Sequence, residues 1–478
     1  MSVQDWQPVI GLEVHAQLLT TSKLFSGAAT AFGAEPNAHT TVLCLGMPGA
    51  LPVVNAKAVE LAVRAGLGLS CTINETSLWA RKHYFYPDLP KGYQITQYEQ
   101  PICEHGGLDI DAGGAKKRVR IRRIHMEEDA GKNTHDAAAG ASLVDLNRAG
   151  TPLVEIVSDP DLASSDEAVA YLKDLRDVLV YLGVNDGNLE EGSFRCDANV
   201  SVMKKGAKEL GTRTELKNLN SFRFVKAAIE HEIARQVELL ESGGKVEQET
   251  RLWDTERLET RAMRSKEDAH DYRYFPDPDL PPLVLPQGLV EKTRAALPEL
   301  PRARQRRYVE QLSLPEYDAG VLTAERGLSD LFDACLKLGV EAKKLSNWFM
   351  GEVLRMQKER PTPWDALKFT AAQLAGLLKK VESSAISNNA AKEVFAAMYL
   401  EGKDPDAVIA EKGLAQVSDT GAIDAAVDEV LAKNPDSVAA WKAGKQQVLG
   451  FLVGQVMKAM KGKGNPKLVN ETLKRKLG

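Results

Sequence analysis

The sequence predicts an α+β protein in which a strand-rich N-terminal region, broken by two helices, is followed by an all-α remainder. Up to about Pro286 short runs alternate polar and apolar residues, and two stretches there repeat apolar residues at helical spacing. From roughly Val290 onward the helical pattern is nearly continuous. A proline-dense stretch from Tyr274 to Pro286 separates the regimes, and Glu401 to Pro405 (E-G-K-D-P) makes a second break. The expected domains are residues 1–290, 291–401 and 402–478. A chain of 478 residues has room for about two to four domains, each with its own core.

Taken in order, the alternating runs are Val9 to Gln17, Val119 to Met126, Ser142 to Leu146, Leu153 to Val157 and Ser193 to Val202. The last is the most regular. Ser193, Arg195, Asp197, Asn199 and Ser201 would share one face, with Phe194, Cys196, Ala198, Val200 and Val202 on the other. A row mixing a cation, a carboxylate, an amide and hydroxyls suits the floor of a polar site better than a solvated sheet face. The helices are Ser165 to Leu182, opening near S-S-D-E, and Phe222 to Leu240, which stops at Ser242, Gly243 and Gly244. Beyond Glu401 the tail reads as three or four short helices.

Composition excludes several classes. Hydrophobic content of 44% and charged content of 27% are ordinary for a globular protein, and a net charge of -5 argues against wholesale coating of nucleic acid. No basic leader and no run of eighteen apolar residues is present, so a cytoplasmic protein without membrane association is expected. The five cysteines, Cys44, Cys71, Cys103, Cys196 and Cys335, are widely spaced, and neither disulfides nor a cysteine zinc site is expected.

Tempting motifs fail on their full requirements. Asp129 to Thr134 lacks the first glycine of a phosphate loop, Gly66 to Ser70 lacks one glycine of a dinucleotide fingerprint, and His231 to Arg235 lacks the second histidine of a zinc protease. Nor is there a serine nucleophile elbow. What remains is a carboxylate-rich set. In Val9 to His15 the period of two puts Glu13 and His15 on one face; Glu127 and Glu128 follow the strand that ends at Met126; Glu155 lies inside an apolar run, where a carboxylate needs a partner. Glu, His and water suit Mg²⁺. The competing reading makes His15 and Glu155 hydrogen-bonded core residues and the glutamate pair a solvated turn. Arg81 to Thr96 mixes tyrosines and a phenylalanine with Arg81, Lys82 and Lys91, which suits stacking a base and holding phosphates. Thr212 to Ser221 offers Arg213, Glu215 and Lys217 on one strand face, with Ser221 or Asn220 as a helix cap.

Together, G-L-E-V-H, R-K-H-Y-F-Y-P-D-L-P-K-G-Y-Q-I, H-M-E-E-D-A-G-K, D-L-N-R-A-G-T-P-L-V-E-I-V, E-E-G-S-F-R-C-D-A-N-V-S-V, T-E-L-K-N-L-N-S-F and D-Y-R-Y-F-P-D-P-D-L closely resemble the GatB family across essentially the whole chain. The resemblance implies a cradle-shaped α+β domain with a mainly antiparallel sheet, a helical domain and a small YqeY-like helical tail. It also implies the B subunit of a glutamine-dependent carbon–nitrogen ligase, the GatCAB amidotransferase, with GatA and GatC as partners. On that reading ATP activates the side-chain carboxylate of Glu-tRNA(Gln), Asp-tRNA(Asn) or both, and ammonia made by GatA converts the acyl phosphate to an amide. Carried over by motif, Glu13, His15 and Glu128 would hold Mg²⁺, with Glu127 and Glu155 close by. Arg195, Lys82 and Lys217 would contact phosphates, and Tyr84, Ser193 and Asn199 would shape the pocket. Some members resemble L-F-C-x-C followed by C-P-x-C-L-G, a zinc arrangement. Here Leu24 to Ala28 and Thr41 to Gly46 retain only Cys44, so no zinc is expected.

The tail adds an electrostatic argument. Between Lys458 and Gly478, Lys458, Lys461, Lys463, Lys467, Lys474, Arg475 and Lys476 face Glu471 alone, a handle for a phosphate backbone. A solvated helix is the plain alternative. Two rival functions are a free-standing ATP-dependent ligase on a small carboxylic acid and a non-catalytic RNA-binding scaffold.

Overall fold

In the computed structural model, residues 5–136, 140–263, 272–416, 420–460 and 463–478 are described. The chain divides into two compact units, Met1–Leu300 and Pro301–Gly478. The first contains strands β1 (Trp6–Gln17), β2 (Thr72–Ile73), β3 (Thr76–Ser77), β4 (Ala80–His83), β5 (Tyr93–Thr96), β6 (Cys103–Ala112), β7 (Ala115–Glu128) and β8 (Lys132–Asp136). There follow β9 (Ala141–Asp145), β10 (Pro152–Ser158), β11 (Phe194–Lys204), β12 (Thr214–Lys217), β13 (Thr250–Asp254), β14 (Glu259–Ala262), β15 (Phe275–Pro276) and β16 (Leu283–Val284). Nine of these form one sheet in the order β14-β13-β12-β11-β1-β10-β7-β6-β2, and β15-β4-β5 form a smaller one. Neighbours in the large sheet run antiparallel except β12 and β13. The α+β expectation with a mainly antiparallel sheet is met.

Strand alternation sorts the side chains as the pleat requires. On β1 the even positions Ile10, Leu12, Val14 and Ala16 are buried, joined by Cys196, Ala198 and Val200 of β11, Ile124 and Met126 of β7, and Val154 and Ile156 of β10 in a single core. Helices α1 (Ala56–Gly68), α2 (Ser165–Tyr181) and α3 (Phe222–Glu241) supply the rest of that core, including Leu61, Leu172, Leu175, Val225 and Ile229. Each begins where a side chain satisfies otherwise unpaired backbone donors. Asn55 accepts from Lys57 N, Ser164 from Glu167 N and Ser221 from Phe224 N, which settles the choice between Asn220 and Ser221. The odd positions of the strands are left on the opposite face.

Glu232, from the rejected zinc-protease match, is a structural staple. It is fully buried on α3 and accepts from Thr214 Oγ1 at 2.8 Å, Gln236 Nε2 at 2.9 Å, Thr260 Oγ1 at 3.0 Å and Arg235 Nη2 at 2.6 Å, tying the helix to β12 and β14. Burial opposes its charge, but Arg235 and Gln236 overcome that and hold the carboxyl below its ordinary 4.5. A lowered carboxyl contributes stability above its ordinary value and loses it as pH falls below. Glu232→Gln is therefore expected to lower the unfolding temperature near neutral pH and to flatten its decline between about pH 5 and 3, read by thermal denaturation across that range.

The long segment after β1 is pinned by a buried ammonium. Lys23 is 1% exposed, and its Nζ donates to His39 O at 2.6 Å, Leu146 O at 3.1 Å and Cys44 Sγ at 3.3 Å. Helices build the second unit around two cores, one containing Tyr308, Phe332, Phe349 and Phe395, the other Ile423, Val427, Leu452, Val456 and Leu473. Beyond Glu401 the described residues form five helices rather than three or four, because Pro405 and Pro435 each open a new helix at its first turn. No helix among the described residues is long and apolar enough to cross a membrane.

Candidate active site

The polar face of the large sheet concentrates its chemistry where β7, β10, β1 and β11 lie side by side. Register fixes the neighbours: His15 is opposite Glu155 on one side and Arg195 on the other, Glu155 is opposite His125, and Glu13 is opposite Asp197. His15 Nε2 lies 3.3 Å from Glu155 Oε2 and 3.6 Å from Glu127 Oε1. His125 Nε2 lies 3.4 Å from Glu155 Oε2 and 3.6 Å from Glu127 Oε2. Two carboxylates are thus bracketed by two imidazoles, and the ligand atoms of His15, Glu127 and Glu155 all fall within 4.8 Å of one another.

Such a group is costly unless its charges balance. Burial works against the imidazolium of His125, yet Glu155 and Glu127 lift it to about 9. Burial likewise opposes ionisation of Glu155, and the two histidines hold it well below the usual carboxylate range. Two buried anions call for two positive charges, supplied by protonated histidines or by one divalent cation. One imidazole nitrogen and two carboxylates suit a hard cation that keeps water in its remaining positions, so the donor set fits Mg²⁺.

A pocket of about 240 Å³ opens over this group, lined by His15, Glu127, Lys82, Tyr84, Gln94 and Arg195 among others. The small sheet makes one wall. On β4 and β5 the residues Lys82 and Gln94 are paired and face inward, while Arg81, His83 and Tyr93 face away, with the Arg81 guanidinium 4.1 Å from the Tyr93 ring centre. Lys82 Nζ sits 4.8 Å from the Tyr272 ring centre; burial disfavours its charge, but Glu127 raises its pKa above the ordinary lysine value. Arg195 makes the other wall. Its Nη1 and Nη2 donate to Asp129 at 2.9 and 3.1 Å, and Gln17 Nε2 donates to the same carboxylate at 2.8 Å.

The structure brings together His15, Glu127, Glu155, Lys82, Tyr84 and Arg195, and it moves the rest of the expected set. Glu128 is placed furthest from the expectation. Strand β7 runs through it, so it has the parity of Ile124 and Met126 and points to the face opposite Glu127. There it pairs with Lys91 and accepts from Ile95 N at 3.1 Å. Glu13 shares the face of His15, but its Oε1 accepts from Asn199 Nδ2 at 2.9 Å, and neither residue lines the pocket. Lys217 is engaged by Asp197 at 2.7 Å and Glu215 at 2.9 Å, and Ser193 bonds Asp186 and, at 3.0 Å, Asn188 O; these too lie off the pocket. Residues missed from sequence are His125, Asp129, Gln94 and Tyr272. His125 was findable, since it stands two positions before Glu127 on a strand.

In the tail, Lys461 lies outside the described residues. Lys458, Lys463 and Lys467 are exposed and, among the described residues, make no ion pair, whereas Arg475 and Lys476 are matched by Asp424 and Asp428. The basic handle is smaller than the bare sequence suggests.

Comparison with known proteins gives the same direction along the whole chain. Residues 8–291 match the GatB/GatE catalytic domain, and residues 330–477 match the GatB domain. The chain is similar to the B subunit of the aspartyl/glutamyl-tRNA(Asn/Gln) amidotransferase of Myxococcus xanthus, 66% identical over the full length of both chains. It is 61% identical to the protein of that name from Anaeromyxobacter sp. strain K, again over both full lengths, and 58% identical to the one from Geobacter sulfurreducens over 99% of each. Two matched domains covering most of the chain, with a pocket built on its most distinctive motifs, show that the chain belongs to the GatB/GatE family.

Proposed function

We propose that this chain is the B subunit of a tRNA-dependent amidotransferase. It uses ATP to activate the side-chain carboxylate of Glu-tRNA(Gln), Asp-tRNA(Asn) or both, and passes the activated group to ammonia produced by a GatA-type glutaminase held with a GatC-type partner. The observation that carries this is the His15, Glu127 and Glu155 group on the floor of a pocket walled by Lys82 and Arg195. A bound Mg²⁺, held by those three side chains, would neutralise charge on the phosphates of ATP. Lys82 and Arg195 bring two further cations to the same space, which favours bringing an anionic carboxylate to an anionic phosphate. Arg195 is aimed by Asp129, so its guanidinium is set before substrate arrives. His125 orients Glu127 and Glu155 from the side away from His15. No nucleophilic side chain is required, because the substrate carboxylate attacks the phosphate and ammonia attacks the acyl group.

The test is a reconstituted transfer assay: the chain with its two partner subunits, ATP, Mg²⁺, glutamine and charged RNA, scored for amide on the RNA. Amide formation that needs this chain and ATP supports the reading; glutaminase activity alone, with neither RNA amidated, defeats it. The tail supplies a second expectation. Exchanging Lys458, Lys463 and Lys467 for Glu is expected to weaken binding of charged RNA and to make its salt dependence shallower by about one unit of slope for each lysine that meets a phosphate, with the KM for ATP unchanged.

A further inference from the structure

The pocket is too small for what the proposed reaction brings to it. Its volume of about 240 Å³ is below the roughly 300–1,000 Å³ of sites that enclose a drug-sized ligand, so the end of a bound RNA must lie across its rim. The segment Tyr84 to Gly92 starts at that rim, since Tyr84 itself lines the pocket. It is a fixed segment. Leu89 N donates to Tyr86 O at 3.0 Å, Gly92 N to Leu89 O at 2.9 Å, and Gly131 N, one residue past pocket-lining Ala130, to Asp88 O at 2.9 Å. Leu89 is buried, and the Tyr86 hydroxyl lies 3.4 Å from His135 Nε2.

On this rigid turn Phe85 is 85% exposed, more than any other large apolar side chain among the described residues. Its ring edge rests on Gly92, whose backbone has φ +76°; a Cβ there would stand 3.1 Å from the ring. The glycine therefore lets the ring lie against the backbone and leaves its remaining surface open. Leaving so much apolar area in water forgoes burial free energy, and an aromatic ring held that way one residue from pocket-lining Tyr84 matches the platforms on which unpaired bases stack.

We propose that Phe85 stacks an unpaired nucleobase at the amino-acid-bearing end of the charged RNA, placing the side-chain carboxylate in the pocket; this rests on the function proposed above. The amino acid is joined to a single-stranded end whose bases have free π faces, and it must enter from solvent, the side to which the ring is open. A phenyl ring offers no hydrogen bond, so the contact positions the RNA without reading its sequence.

The experiment measures KM for charged RNA, KM for ATP and kcat in the assembled complex. Phe85→Ala is expected to raise the KM for charged RNA about tenfold or more, with kcat at saturation and the KM for ATP within about twofold. Phe85→Trp should restore the wild-type KM, and Phe85→Leu, apolar but without a π face, should not. An unchanged KM for RNA overturns the proposal. A rise confined to the KM for ATP also overturns it, because the ring then stacks on the base of ATP. Failure of the wild type to amidate any charged RNA would instead sink the functional reading beneath it, so the two failures are distinguishable.

Discussion

Glu155→Gln is expected to reduce amide formation by at least about a hundredfold while leaving the fold intact. Glu155 is the hinge of the charge group: it contacts both His15 and His125, and its register on β10 puts it between the strands that supply them. Glutamine keeps the shape and removes the charge, so the two imidazoles lose a shared anion and the proposed cation site loses one of its two carboxylates. The measurements are the transfer assay and a calorimetric titration of Mn²⁺ or Mg²⁺ into the purified protein, where affinity is expected to fall by at least about tenfold. Glutaminase activity of the assembled complex should persist. If Glu155→Gln binds the ion normally and still amidates, the group is structural and the pocket acts without it.

Glu128→Ala should behave differently, and the contrast separates the two neighbouring glutamates. The Lys91 and Glu128 side chains are 7% and 4% exposed, so the alanine leaves a buried ammonium without its anion. Removing one partner of such a pair costs about 3–5 kcal/mol, far more than the pair itself is worth against apolar residues of like volume. The expected results are a marked drop in unfolding temperature and cation affinity within about threefold of wild type. Lys91→Met combined with Glu128→Leu is expected to recover most of the loss. Loss of cation affinity in Glu128→Ala at a temperature where the protein is folded would return Glu128 to the metal site.

The difference between these residues shows what was legible in the sequence. Alternation revealed β1, β7, β10 and β11, with Glu13 and His15 on one face of β1 and Arg195 in the polar row of β11. Capping residues revealed α2 and α3. Glu155 was visible as a carboxylate within an apolar run. Ending the strand at Met126, however, removed the parity that separates Glu127 from Glu128, and hid that His125 belongs with the former. Strand pairing across large sequence distances was not legible either. Asp129 reads as a turn residue until Arg195, Arg148 and Gln17 converge on it, and Lys217 reads as a phosphate ligand until Asp197 and Glu215 claim it. Gln94 and Tyr272 reach the pocket only through the small sheet, whose strands are too short to leave a clear pattern.

The place of β1 in the large sheet has a consequence for how the protein comes into being. It precedes every other described strand along the chain, yet it is central, pairing along Glu13 to Gln17 with β10 and along Trp6 to Ala16 with β11. Its partners are encoded more than a hundred residues later, so during synthesis at about 5–20 residues per second it waits many seconds with both edges open. That is the state most prone to pairing with another nascent chain. His15 also meets Glu155 only when that wait ends. The charge group is thus assembled when β10 pairs with β1, and a chain cut short before β11 would carry Glu127 and Glu155 without the strand that pairs with the other edge of β1.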